Sequence, residues 1–261
     1  GNVGGALGNT SCGAHSIVWG KTVDNVLGLR AVLSDGRPVN LGPNDADGLA
    51  SKARADGLEG DIYRELLAVG ADTGDEVRAR FPGILRRVSG YNLDELAGGR
   101  DGLDMARFVV GSEGTLVAVT EAKLKLVPLP KLKALAVVHF RDLIESMEAT
   151  VAALELDPAA VELIGSMILR QAKQNLAYSR ITDFIQGDPE ALLAIEMVGD
   201  SEAEVASKLD QLQRRMERDG LGYAFVRMMD PADQAKVWEV RRAGLGLMMN
   251  VPGDAKPLPY V

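Results

Sequence analysis

Two prolines one residue apart, Pro128 and Pro130 around Leu129, split this chain near its middle. Each removes a backbone donor and pushes the residue before it away from helical geometry, so the stretch favours an extended connection. A length of 261 residues suits one large domain or two ordinary ones. With 261 residues and 46% apolar side chains, the sequence holds enough material for a core on either side. We therefore place the domain boundary there, with one domain over residues 1–128 and a second over 131–261.

On the N-terminal side, residues 26–33 are rich in Val and Leu, Ser34-Asp35-Gly36-Arg37 supplies turn chemistry, and Val39 and Leu41 resume the pattern. That predicts a β-hairpin. Ile62, Leu66, Leu67 and Val69 recur at helical spacing until Pro82-Gly83 stops them, and we expect two short helices between Asp61 and Phe81. Residues 116–127 contain Ala122-Lys123-Leu124-Lys125-Leu126, an alternation that predicts a half-buried strand.

On the C-terminal side, strands are expected near 135–140, 161–164, 192–198 and 222–228. Helices over 143–156, 167–178, 201–219 and from Asp230-Pro231 toward Met249 alternate with them. Ser201-Glu202-Ala203-Glu204 is a capping box in which serine and glutamate satisfy each other's unpaired backbone donors. Asp230 is an N-cap followed by proline at the first helical position. The whole reads as α+β, its second domain a sheet with helices packed on one side.

Lys and Arg number 29 against 37 Asp and Glu, giving a net charge of -8. That balance argues against a broad nucleic-acid or anionic-membrane surface and leaves small molecules as the expected partners. No apolar run approaches the ~20 residues that span a bilayer, and no signal segment opens the chain. We expect a soluble, cytoplasmic protein, with peripheral membrane attachment left open. One cysteine, Cys12, excludes internal disulfides and any four-cysteine zinc or iron–sulfur site, and two histidines, His15 and His139, are too few for a histidine-rich metal centre. No metal site is expected. Opening inside a glycine-rich motif at Gly1 and stopping at Pro259-Tyr260-Val261 without a cap or charged tail, the chain is expected to be truncated at both ends.

Gly4-Gly5-Ala6-Leu7-Gly8-Asn9-Thr10-Ser11-Cys12-Gly13 lacks Cβ atoms at several positions and offers short polar groups at others. Backbone can approach a ligand closely there, although most glycine clusters are turns. Gly111-Ser112-Glu113-Gly114-Thr115-Leu116, between apolar Phe108-Val109-Val110 and the strand, is a tight turn able to present N–H groups and a carboxylate to ribose or phosphate. An ordinary turn with a solvated glutamate reads the same way. Cys12 is expected to be a small packed side chain rather than a redox thiol, and His15 a satisfied polar residue rather than a base.

Together, Asn9-Thr10-Ser11-Cys12-Gly13-Ala14-His15-Ser16, Trp19-Gly20-Lys21-Thr22-Val23-Asp24-Asn25, Arg86-Arg87-Val88-Ser89-Gly90-Tyr91-Asn92-Leu93-Asp94 and Val110-Gly111-Ser112-Glu113-Gly114-Thr115-Leu116 resemble FAD-linked oxidases of the vanillyl-alcohol oxidase type. Within that family they look like the D-lactate and D-2-hydroxyglutarate dehydrogenases, particularly long bacterial forms fused to an iron–sulfur domain. The resemblance covers nearly the whole chain. It implies the second half of a PCMH-type FAD-binding domain over 1–128, followed by an α+β, ferredoxin-like substrate-capping domain over 131–261. It also implies that Gly1, Asn2, Gly5, Asn9, Thr10, Ser11, Cys12, Gly13, Ser16 and Gly20 line the flavin, while Glu113, Gly114, Thr115, Leu116 and Val119 hold FAD through backbone contacts. The family usually has Asn where Thr10 stands and Gly where Ala118 stands. Its pyrophosphate loop would precede Gly1, and its histidine-rich catalytic segment would follow Val261.

Trp238-Glu239-Val240-Arg241-Arg242, with Lys256 fifteen positions after Arg241, offers the charge that a 2-hydroxy acid needs, because an Arg fork grips a carboxylate bidentately and fixes the α-hydrogen toward the flavin. By the resemblance, Arg241 and Lys256 bind the substrate carboxylate; Arg242 reads as a solvated helix residue. The implied activity is oxidation of a D-2-hydroxy acid (D-lactate, D-2-hydroxyglutarate or glycolate class) by hydride transfer to FAD, with electrons leaving to an acceptor that the sequence does not identify, a fused or separate iron–sulfur domain being one candidate. A non-catalytic flavin-fold subunit and an ether-lipid synthase share the same motifs.

Overall fold

The computed structural model describes residues 2–98 and 102–253, which divide into two compact units over 1–127 and 128–261. In the first unit, the short helices α1 (Val3–Gly8) and α2 (Ser16–Trp19) lead to strand β1 (Val26–Val32). The expected hairpin joins β1 to β2 (Pro38–Leu41) in antiparallel register, with Leu29 opposite Leu41 and Val32 opposite Pro38. A short ladder of β3 (Pro43–Asp45) and β4 (Gly102–Asp104) flanks helices α3 (Ala46–Arg54) and α4 (Leu58–Arg80). Helix α5 (Met105–Val109) then runs into the second glycine motif, and β5 (Ala118–Leu124) pairs with the other edge of β1. Leu7, Leu29, Leu49, Tyr63, Phe108 and Val110 are among the side chains that fill the core.

Two expectations for this unit need correction. Residues 58–80 form one helix of 23 residues instead of two short ones. Its interior glycines do not break it because they serve close packing: a Cβ at Gly70 would lie 2.5 Å from the Leu96 carbonyl oxygen. Strand β5 is not half-buried; apart from Ala122, which packs against the core, its residues are exposed. Lys–Leu alternation describes a pleated strand, but it does not supply the partner layer that would cover Leu124.

The second unit is a four-stranded antiparallel sheet in the order β7-β8-β6-β9, built from β6 (Leu132–Phe140), β7 (Ala160–Gly165), β8 (Ala191–Gly199) and β9 (Ala224–Met228). Helices α6 (Leu143–Leu154), α7 (Ser166–Gln174), α8 (Glu202–Asp219) and α9 (Pro231–Met249) alternate with these strands, so the α+β reading holds. The helices cover both faces, not one. Ala134, Ala136, Val138 and Phe140 share a core with residues of α6 and α8, whereas Leu135 and Val137 share another with residues of α7 and α9. The physical reason lies in the sequence: β6 from Ala134 to Phe140 and β8 from Ala191 to Met197 are buried at every position. Strands covered on both faces read as continuous apolar runs.

Caps fix the helix starts. Asp230 accepts from the Ala232 N–H at 2.8 Å, and Ser201 accepts from the Glu204 N–H at 3.2 Å. The reciprocal half of the capping box is displaced by one residue, because the Glu204 carboxylate accepts from Asp200 N–H at 2.8 Å. Helix α8 ends at Gly220 in the left-handed conformation, φ 67°, where glycine carries no Cβ penalty.

His139 is fully buried on β6. Its Nε2 lies 3.0 Å from the Gln186 N–H, from which it accepts in the neutral ring, and 3.2 Å from the Phe184 carbonyl. Burial pushes its pKa below the ordinary imidazole value. A depressed folded pKa means that the unfolded chain takes up a proton first; stability is intact above the unfolded value of about 6.5 and falls as pH drops through the window below it. Thermal unfolding of wild type is therefore expected to move to lower temperature between about pH 7 and pH 5, and His139→Gln to remove part of that slope. An identical slope in the variant would assign the acid sensitivity to other groups.

Candidate functional site

The first unit brings three of the quoted motifs into one place. Gly111 N–H donates to the Leu7 carbonyl at 2.9 Å and Glu113 N–H donates to the Gly8 carbonyl at 2.8 Å. The C-terminal end of α1 is thereby bonded to the turn after α5. From the third motif, buried Asn92 donates through Nδ2 to the carbonyls of Arg107 and Val110, both at 2.8 Å. Tyr91 and Thr115 hydroxyls lie 2.8 Å apart. Asn92 thus satisfies carbonyls at the end of α5 that the helix leaves open, fixing where the glycine turn begins.

Backbone strain concentrates at this junction. Only Thr10, Glu113 and Asp157 have positive φ among the described non-glycine residues, and the first two flank the contact between the motifs. Such conformations cost on the order of 1–3 kcal/mol each and persist where the surroundings over-determine them. Thr10 is buried, its hydroxyl accepts from Val23 N–H at 3.3 Å, and a Cβ built on Gly111 would meet it at 3.5 Å.

A cavity of about 300 Å³ opens beside the junction, lined by Gly4, Leu7, Gly8, Leu29, Val109, Val110, Ser112, Gly114, Val117, Ala118 and Val119. No charged side chain lines it. Gly114 has φ 75° and nothing within 4 Å of a would-be Cβ, so its missing side chain leaves open space. This volume lies at the lower end of ligand pockets, roughly 300–1,000 Å³, and its apolar walls and exposed main chain suit one planar ring system with polar edges. It does not hold a whole dinucleotide. A larger but shallow depression of about 550 Å³ lies over β1, β2 and β5, where the Arg30–Glu121 ion pair, 2.9 Å, crosses it.

The positions singled out from sequence fall into distinct groups. Gly114 and Val119 line the cavity. Glu113 and Thr115 build the turn beside it, Thr115 donating to the Ser112 carbonyl at 2.6 Å; Leu116 is exposed. Asn2 caps α1 by accepting from Gly5 N–H at 2.6 Å, so residues 3–8 are a helical turn rather than an open loop. Asn9, Ser11, Cys12, Gly13 and Ser16 are not among the lining residues. Ser11 donates to Asn9 at 2.7 Å, and Cys12, 3.0 Å away, and Gly13 N–H, 2.8 Å away, both donate to the Ser16 hydroxyl. Gly20, at φ 74°, closes this turn. His15 stacks on Trp19 with centroids 4.9 Å apart. Gly4, Leu7, Gly8, Val110 and Ser112 stand inside the quoted motifs without having been named as contacts, and Leu29, Val109, Val117 and Ala118 are further lining residues. Their signal was proximity to the motifs, since Val109 and Ser112 stand in or beside the Ser-Glu-Gly turn.

In the second unit, Arg241 lies on α9 and donates through Nε to Glu162 on β7 at 2.8 Å. Arg242 donates to its own helix at Trp238 O, 3.3 Å, and is exposed. Helix α9 is anchored by buried Gln234, whose Nε2 donates to the Lys133 carbonyl at 2.9 Å, and by Lys236 on Asp183 at 2.8 Å. Gly1 and Lys256 lie outside the described residues. Among the described residues no group of three His, Cys, Asp or Glu side chains gathers as a metal site, and no helix is long and apolar enough to cross a membrane.

Comparison with known proteins bears on this geometry. A family model described as FAD linked oxidases, C-terminal domain, matches residues 129–261. The chain is 27% identical over 267 residues to a D-2-hydroxyglutarate dehydrogenase of Pseudomonas putida, which covers 99% of this chain and 26% of that protein. A D-2-hydroxyglutarate dehydrogenase of Escherichia coli is also 27% identical, over 99% of this chain and 26% of that protein. The chain thus spans about a quarter of the length of these relatives. A solved structure of alkyldihydroxyacetonephosphate synthase has a TM-score of 0.51 at 18% identity, over 94% of this chain and 36% of that one, a likeness of fold alone.

Proposed function

The chain belongs to the FAD-linked oxidases, and from that premise we propose that it is part of an FAD-dependent dehydrogenase that oxidises a D-2-hydroxy acid of the 2-hydroxyglutarate class to the 2-oxo acid. The first unit is read as the C-terminal part of an FAD-binding domain and the second as a substrate domain. The observation that carries the reading is the pair of main-chain bonds from Gly111 and Glu113 to Leu7 and Gly8, which draws two distant glycine segments around one apolar cavity. Bound FAD supplies the hydride acceptor.

What this chain's residues contribute is placement and charge. Main chain at Gly114 admits a flat ring to contact distance because no Cβ intervenes. Val109, Val110 and Val117 keep water from its face, which strengthens every electrostatic interaction there. Arg241 grips the substrate carboxylate through its terminal amino groups, and Lys256 adds a second positive charge. His139 is buried on β6 and His15 stacks on Trp19; neither is assigned the hydroxyl proton. Electrons pass on to an acceptor, for which an iron–sulfur domain is the expected chemistry.

The full-length protein is expected to be yellow, and its flavin absorbance to bleach when D-2-hydroxyglutarate is added without oxygen. Unchanged absorbance across D-2-hydroxyglutarate, D-lactate and glycolate would remove this substrate class.

A further inference from the structure

Glu162 sits on β7 with its side chain only 10% exposed, against 45% for Arg241. Strand β7 buries alternate residues, Ala160, Glu162 and Ile164, so the carboxylate occupies a position where the pattern calls for an apolar side chain. Opposite it in the ladder stands Ala194, whose methyl group offers no polar partner. Burying a carboxylate is unfavourable unless it is paired. Among the described residues its ion-pair partner is Arg241, and the contact is made by Nε alone, at 2.8 Å.

Guanidinium geometry makes that choice of nitrogen informative. Its five N–H donors form a rigid planar fork, so fixing Nε fixes the plane in which the two terminal amino groups lie. Neither of those groups donates to another described residue. A strand residue of a sheet buried on both faces is a rigid support for such an anchor.

We propose that Glu162 is a positioning residue that holds the Arg241 guanidinium in the orientation that receives a substrate carboxylate. This rests on the reading of Arg241 given above. An ion pair that merely fastens α9 to β7 would matter for stability and not for substrate affinity.

Steady-state kinetics of the full-length flavoprotein with D-2-hydroxyglutarate separate the two. Glu162→Leu removes the anchor with an apolar side chain suited to the site, and Glu162→Gln restores an acceptor for Nε. The leucine variant is expected to show a KM raised by about tenfold or more, because a carboxylate contact made equally in ground and transition states is lost as uniform binding, with kcat within about twofold of wild type. The glutamine variant recovers most of the KM. Glu162→Asp, which withdraws the anchor by one methylene, serves if the leucine variant does not fold, and its KM is likewise expected to rise. Wild-type KM in Glu162→Leu, or in Glu162→Asp in its place, overturns the proposal. Arg241→Lys measured in parallel isolates the cause: a raised KM there with normal Glu162 variants overturns this assignment alone, and an unchanged KM in Arg241→Lys overturns the role of Arg241 and of Glu162 together.

Discussion

Full-length protein carrying Gly114→Val is expected to purify with at most about a tenth of the wild-type flavin content, a loss equivalent to roughly 1.4 kcal/mol or more of binding free energy. Two effects act in the same direction. Gly114 has φ 75°, a conformation that a β-branched residue adopts only under strain. The new side chain would also enter space that is open at present, since nothing lies within 4 Å of its Cβ and the residue lines the 300 Å³ cavity. Gly36→Val separates strain from occupancy. Gly36 has φ 85° at the hairpin turn, equally open surroundings and no part in the cavity, so that variant should lose stability while retaining flavin. Visible flavin absorbance per mole of protein reads the flavin content of both variants and thermal unfolding reads their stability; a fully yellow Gly114→Val protein would remove this cavity from the flavin site.

What could be read in advance was what local chemistry determines. The hairpin at Ser34–Arg37, the caps at Ser201 and Asp230 and the strands of the second unit each depend on a few adjacent side chains, and they formed as those side chains require. The covering of strands did not follow the same way. For β6 and β8 the signal was present, because unbroken apolar runs such as Ala191-Leu192-Leu193-Ala194-Ile195 leave no polar face for solvent. For β5 it was absent, since Lys–Leu alternation does not say whether a second layer exists. Helix α4 misled for a related reason: Gly70 looks like a helix breaker from its neighbours, and only the Leu96 carbonyl, 26 positions away, explains it.

The site divides similarly. Both glycine motifs announced themselves, but the bonds that join Leu7 to Gly111 and Gly8 to Glu113 run between main-chain atoms, and any residue type can supply a carbonyl. Asn92 was visible as part of a motif without a task. Its role as the clamp on the end of α5 required knowing where Arg107 and Val110 direct their carbonyls. Glu162 carried no signal beyond a charge within an apolar strand, and that charge acquires meaning only when Arg241 arrives from α9, 79 positions later.

Arg241→Lys is the most demanding test of the substrate assignment, and we expect KM for the D-2-hydroxy acid to rise by about 10- to 100-fold, the scale of a charge-assisted, bidentate contact worth about 1.5–3 kcal/mol. Alanine is the poorer choice. It would leave the largely buried Glu162 carboxylate without its ion-pair partner, a destabilising defect, and lost activity would then report folding as much as binding. Lysine retains a positive charge for Glu162 but lacks the planar fork, so it can serve the carboxylate on β7 or the substrate, not both in one fixed geometry. If the lost interaction is made equally in ground and transition states, KM rises while kcat changes little. A matched fall in kcat and kcat/KM would instead place the contact in the transition state alone. Unaltered kinetics would reduce Arg241 to a strap between α9 and β7, and the substrate carboxylate would have to be held by other cations.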